Sequence, residues 1–230
     1  MREHISGQYD AELDELRAMV TEMGGLVERQ LQAVCLGLST WDADPAEPVA
    51  ALDKAVNRLE VSIDDACTHI IARRQPTASD LRLVMSIVKA ITDLERIGDE
   101  TTRIAKMLET LCALPALRDP LPELTDMMER VQSMLADALN AFVRVDEARA
   151  LEVITRDRAV DRAYEALVSR LLEAMEASPE RLRSYHNIIW CARSFERIGD
   201  HAKNVCEYII YLARGKDVRH QGLGSANAPP

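Results

Sequence analysis

Aromatic side chains are scarce in this chain, at 4% of its residues, and the apolar content falls to Leu, Ala, Ile, Val and Met. A sheet core would draw more on aromatic and β-branched residues, so the shortage favours packed helices. Positive charge is also in deficit. A formal net charge of −10 excludes wholesale wrapping of nucleic acid and a generally basic lipid-binding surface. No stretch approaches the ~20 uncharged apolar residues of a membrane span. The opening MREHISGQYDAELDEL carries no apolar signal region. Cys35, Cys67, Cys112, Cys191 and Cys206 form no C-x-x-C pair and leave an odd thiol, which fits buried small hydrophobes in a reducing cytoplasm. Walker loops, G-x-G-x-x-G and G-x-S-x-G are missing too, and nothing in the motifs demands an enzyme.

Helical periodicity is what the chain has instead. Leu13, Leu16, Met19, Val20, Met23, Leu26, Val27 and Val34 lie on one stripe of a helix expected over 9–39. Further helices are expected over 49–73, 79–111, 122–143, 147–177 and 179–214. Pro45 and Pro48 punctuate the first gap. Pro76 disfavours helix at Gln75, and Thr77 or Ser79 can cap the next helix. The proline-rich run CALPALRDPLP over 112–122 reads as a joint.

The pattern then repeats. A shift of 101 residues lays the third helix on the sixth, with LERIGD at 94–99 falling on FERIGD at 195–200. A shift of 104 lays Asp53 on Asp157 and Asn57 on Asp161. A repeat of this length is a duplicated domain rather than a solenoid unit. The expected fold is all-α: six helices as two tandem, pseudo-symmetric three-helix bundles. Residues 1–114 form the first, 115–215 the second, and 216–230 a disordered tail.

Each ERIGD places two carboxylates four residues apart with a glycine between them. On a bare helix the acids repel by ~0.2–0.5 kcal/mol, and an interior glycine costs ~0.5–1 kcal/mol relative to alanine. A helical wheel puts Lys89, Asp93, Arg96 and Glu100 on the solvated face. Glu95 and Asp99 fall beside the apolar stripe, as do Glu196 and Asp200. Displaced carboxylates must be protonated, paired or bound to a cation. Asp53 and Asn57, and likewise Asp157 and Asp161, sit four apart and would face the third and sixth helices. Gly98 and Gly199 would let neighbouring backbone approach. Oxygen-only donors select Mg, Mn, Ca or iron, with zinc also accommodated.

An ion-pair network through Arg96, Arg197 and Arg103 is the competing explanation, and it requires no metal. Two copies in register, both off the polar face, weigh toward a cation. A catalytic di-iron bundle would need Glu-x-x-His pairs, and none occurs. His4, His69, His186, His201 and His220 do not cluster in the sequence, and His201 is read as an outer-shell or surface residue.

The runs CTHIIARRQPTASDLRLVMSIVKAITDLERIGDETTRIA and WCARSFERIGDHAKNVCEYIIYLARGKDVRH resemble the PhoU family of bacterial phosphate-uptake regulators, and the likeness extends over about residues 8–220. The resemblance implies a cytoplasmic, often dimeric adaptor that meets membranes only through its partners. Those partners are the ATPase subunit of the phosphate ABC importer and a phosphate-sensing histidine kinase. The implied role is negative regulation of phosphate-starvation signalling and of uptake. It further implies multinuclear, carboxylate-ligated iron or zinc on Glu95 and Asp99 and on Glu196 and Asp200, with Asp53, Asp157 and Asp161 as partner-helix positions. Asn57 departs from that pattern, and Glu60 is a substitute. A metal-dependent enzyme or storage protein, and an ion-free helical scaffold, are the alternatives.

Overall fold

A computed structural model describes residues 7–114 and 121–215. The expectations for the tail over 216–230 and for most of the proline-rich joint fall outside the described residues. Six α-helices carry the chain: α1 Gly7–Thr40, α2 Ala46–Arg74, α3 Ala78–Cys112, α4 Pro122–Arg144, α5 Glu147–Ala177 and α6 Leu182–Arg214. A 3-10 turn, Pro179–Arg181, precedes α6. Among the described residues there is no strand, and no helix long and apolar enough to cross a membrane.

Helix ends follow local chemistry. Gln75 closes α2 in the left-handed region (φ 48°) and donates its N–H to Ile71 O; Pro76 then bars continuation. Thr77 occupies the N-cap of α3 in extended conformation but makes no side-chain cap bond, and Ser79 turns to Asp80 instead. The expected cap is therefore not formed. Asp146 does cap α5, accepting from Arg149 N at 3.1 Å. Arg74 lies in the last turn of α2, where the helix dipole favours a cation. It grips Glu12 of α1 through a two-pronged ion pair, at 2.6 and 2.9 Å.

The stripes close two cores. Helices α1, α2 and α3 pack on one another, as do α4, α5 and α6. Equivalent positions are buried in both: Met23 and Met127, Val27 and Val131, Leu31 and Leu135, Val56 and Val160. The bundles join along α3 against α6 and α1 against α4.

That junction corrects the helical wheel. Asp93 and Glu100 were expected to face solvent, yet both are buried, 7% and 3% exposed. Asp93 accepts from His201 Nδ1 at 2.7 Å, Asn204 Nδ2 at 3.0 Å and Tyr208 OH at 2.7 Å. Glu100 accepts from Ser194 Oγ at 2.8 Å, Arg103 at 2.8 Å and Arg197 at 2.7 Å. Under the 101-residue shift Asp93 corresponds to Ser194 and Glu100 to His201. The two contacts are thus the two senses of one pseudo-twofold interface. Lys89 lies over the rings of Tyr208 and Tyr211, at 5.7 and 5.4 Å. Of the four expected surface residues only Arg96 is largely solvated, its side chain 56% exposed.

Candidate functional site

The ERIGD glycines face α2 and α5 inside their own bundles. A Cβ placed on Gly98 would lie 3.2 Å from Gln30 Oε1 and 3.6 Å from Asp53 Oδ1. One on Gly199 would lie 3.6 Å from Asp157 Oδ1 and 3.9 Å from the terminal methyl of Met134. Side chains make the approach, and not backbone as expected. Gly199→Ala meets only ordinary contacts and should gain most of the ~0.5–1 kcal/mol that alanine holds over glycine in a helix. Gly98→Ala crowds a buried oxygen and should melt lower than Gly199→Ala. Thermal denaturation of the two variants checks the order, and a higher melting temperature for Gly98→Ala contradicts it.

The acids split by depth. Glu95 and Glu196 turn inward, their side chains 19% and 14% exposed, while Asp99 and Asp200 stand at the rim at 41% and 49%. Burial raises the Glu95 carboxyl above the ordinary glutamate value; Asp99 adds to the rise, Arg96 opposes it, and Glu60 and Asp53 add further. Glu60 is raised too, again by burial first, and so joins this cluster. Asn57, the position it substitutes, is exposed. In the second bundle burial raises Glu196; Arg193 opposes, while Asp200, Asp161 and Asp157 reinforce. Asp157, 3% exposed, is raised by burial despite Lys203, with Asp200 and Asp161 contributing. The predicted acids therefore fall into two separate groups, one per bundle.

Counter-ions are present, but several differ from those expected. Arg96 lies 3.5 Å from Glu95 and 3.9 Å from Asp99. Arg197 and Arg103 serve Glu100 at the junction, not Glu196 or Asp99. Glu196 is paired by Arg193 at 2.7 Å. Lys203 Nζ bonds Asp157 at 2.6 Å and lies 3.7 Å from Asp200. His201 is neither surface nor outer-shell, since it binds Asp93 across the junction.

Three oxygens of these groups are buried without a hydrogen-bond partner, Asp53 Oδ1, Gln30 Oε1 and Glu196 Oε2, and so is Thr102 Oγ1 on the next turn of α3. Orphaned acceptors beside carboxylates are what a hard cation satisfies. Fit to a metal is only partial, however. Among the described residues no three His, Cys, Asp or Glu side chains gather closely enough to hold an ion. Gln30, Thr102, Arg193 and Lys203 escaped the sequence reading. Comparing the halves would have found three of them, because Gln30 aligns with Met134 and Thr102 with Lys203.

Four of the five thiols, Cys35, Cys67, Cys191 and Cys206, are buried. Burial pushes Cys35, Cys67 and Cys191 up to about 12, which leaves them protonated and unreactive.

The family model described as the PhoU domain matches residues 20–108 and again 124–209, one match on each bundle. A Pseudomonas putida protein named phosphate-specific transport system accessory protein PhoU homolog is 44% identical over 220 residues, 96% of this chain and 86% of its own. The Escherichia coli K12 protein named phosphate-specific transport system accessory protein PhoU is 44% identical over 223 residues, 96% of this chain and 92% of its own. The crystal structure of PhoU from Pseudomonas aeruginosa superposes with a TM-score of 0.88 at 42% identity, covering 90% of this chain and all of that one. With two family matches, one on each three-helix bundle, and relatives this similar along nearly the whole length, the chain belongs to the PhoU family.

Proposed function

We propose that this chain is a regulatory adaptor of phosphate transport that restrains uptake and holds the starvation response off when phosphate is plentiful. It acts in the cytoplasm as a homodimer, through contacts with the ATPase subunit of the phosphate importer and with the phosphate-sensing kinase. The observation that carries this reading is 44% identity over 96% of the chain to proteins named as phosphate-specific transport accessories. A pair of bundles joined by a buried hydrogen-bond network suits a docking body better than a reaction centre. The carboxylate clusters serve cations that stabilise or regulate the fold: iron or zinc in the multinuclear form, or Mg or Mn.

The test is genetic. Deleting the gene should derepress a phosphate-starvation reporter at high phosphate, and restoring the wild-type chain should silence it. Unchanged reporter output in the deletion strain would sink the adaptor reading.

A further inference from the structure

The seam between α3 and α6 runs antiparallel: Asp93 meets Asn204, Glu100 meets Arg197 and Met107 meets Cys191. The duplication makes its two ends equivalent in position, and they have diverged in chemistry. At the end where α6 begins, Arg183, His186, Trp190 and Arg197 follow one another at intervals of three, four and seven residues and so lie on one side of that helix. The facing line of α3 carries Arg103, Met107, Thr110 and Leu114. The 101-residue shift sets Trp190 on Lys89 and Lys106 on Glu207. The aromatic ring and the extra cation therefore belong to this end alone.

Trp190 is 47% exposed, yet it is not loose. Its Nε1 donates to His186 Nε2 at 2.9 Å, and the two rings meet edge to face at 6.2 Å. An exposed tryptophan already held in one orientation anchors a protein interface at little cost in entropy. Leu182, one turn before His186, is exposed as well. An open pocket of about 410 Å³ lies there, lined by Thr110, Leu114, Leu182, Arg183, His186 and Asn187.

Charge sets the same stretch apart from the rest of a chain whose net charge is −10. Arg103 and Arg197 converge on the single carboxylate of Glu100, at 2.8 and 2.7 Å, and both stay nearly half exposed. Two guanidiniums on one carboxylate make a net positive group, and each keeps N–H donors that no described residue takes. Lys106 and Arg183 are exposed, and neither has a carboxylate partner among the described residues. Glu196 is occupied by Arg193, and Glu109 falls about 120° round α3 from Arg103.

We infer that this end of the α3–α6 seam docks an acidic amphipathic helix of a partner protein. Apolar side chains of that helix settle on Trp190 and in the pocket beside it, and its carboxylates meet Arg103, Arg197 and Lys106. His186 and Arg197 are about 16 Å apart along α6, roughly three turns of a helix laid in the groove. The inference rests on the docking-body reading and gives that body a surface and a partner chemistry.

The experiment is a fluorescence-anisotropy titration of the full-length chain with a labelled helical peptide of about fourteen residues. Leucines occupy one face of the peptide and glutamates flank them; a second peptide carries lysine for every glutamate. The wild type should bind the glutamate peptide, more weakly as salt rises, and should ignore the lysine peptide. Trp190→Lys and Lys106→Glu install the residues of the other end at exposed positions. They should weaken binding ~10-fold or more and ~3-fold, respectively, with melting temperatures unchanged. Equal binding of the two peptides, no binding of either, or variants that bind as the wild type does would overturn the inference. So would a change in the sedimentation of the peptide-free chain on Trp190→Lys, which would assign the groove to a second copy. An unchanged reporter in the deletion strain would remove the phosphate role alone, because the titration reads the purified chain.

Discussion

Asp93→Ala should lose roughly 3–5 kcal/mol of stability, the cost of removing one partner from a buried charged network. Asp93 is buried at the junction and accepts from His201, Asn204 and Tyr208 together. Its removal strands three donors in a site where the Tyr208 residue is itself 9% exposed and no aqueous replacement has easy access. All three donors come from α6, so the loss falls on the contact between bundles and spares both cores. Asp93→Asn keeps the shape and one acceptor oxygen, and should lose only about 1–2 kcal/mol. Urea unfolding reads both numbers. An alanine variant within about 1 kcal/mol of the parent, inside the ordinary range for surface substitutions and small effects, would show that the junction is not held by this carboxylate.

Lys203→Met carries the second large effect. It leaves Asp157 buried with no ammonium, and a broken buried pair costs about 3–5 kcal/mol. Lys203 is about a third exposed, at 31%, so solvent screening brings the expected loss at neutral pH toward about 2–3 kcal/mol. The pH dependence fixes the cause. Asp157 already has a folded value raised above the ordinary 3.8, by burial first, against the pull of Lys203. A raised acid contributes stability that is complete below its unfolded value and fades as pH climbs through the folded one. Removing the ammonium raises the folded value further. The deficit of Lys203→Met should therefore be small near pH 4 and grow toward pH 7. A second substitution, Asp157→Asn, should recover much of the loss, because the two effects share one interaction and are not additive. A deficit that stays constant from pH 4 to pH 7 would assign it to lost packing by the lysine stem.

Much of the architecture is legible before any coordinates. Periodicity gives six helices because each has a continuous apolar stripe, and the two ERIGD copies give the duplication because they fall in register. Glu95 and Glu196 are read correctly as turned inward, since each lies beside the stripe. Asp93 and Glu100 are misread for a definite reason. A wheel drawn for one helix assumes one buried side, but α3 has neighbours on two: its own bundle, and α6. Its second buried face is polar because it is built from hydrogen bonds, and hydrophobicity alone is blind to that. Lys203 is missed for a related reason. It lies outside the pentapeptide, one turn beyond Gly199, and only its pairing with Asp157 of α5 gives it meaning. The residues that distinguish the clusters stand where the halves disagree, while attention falls naturally on where they agree.

The complementarity between α3 and α6 sets how the halves pair. An acid from the first half meets an imidazole from the second, and a glutamate from the first meets a serine and an arginine from the second. Two copies of the first half joined by the same face would set Asp93 beside Glu100 at both ends, two carboxylates where this chain has a carboxylate and an imidazole, with Arg103 already committed to Glu100. Two copies of the second would gather Ser194, Arg197 and His201 with no carboxylate to receive them. Each half therefore carries donors and acceptors that match its sibling and not itself, so separated halves should re-associate with one another through this surface in preference to pairing with their own kind.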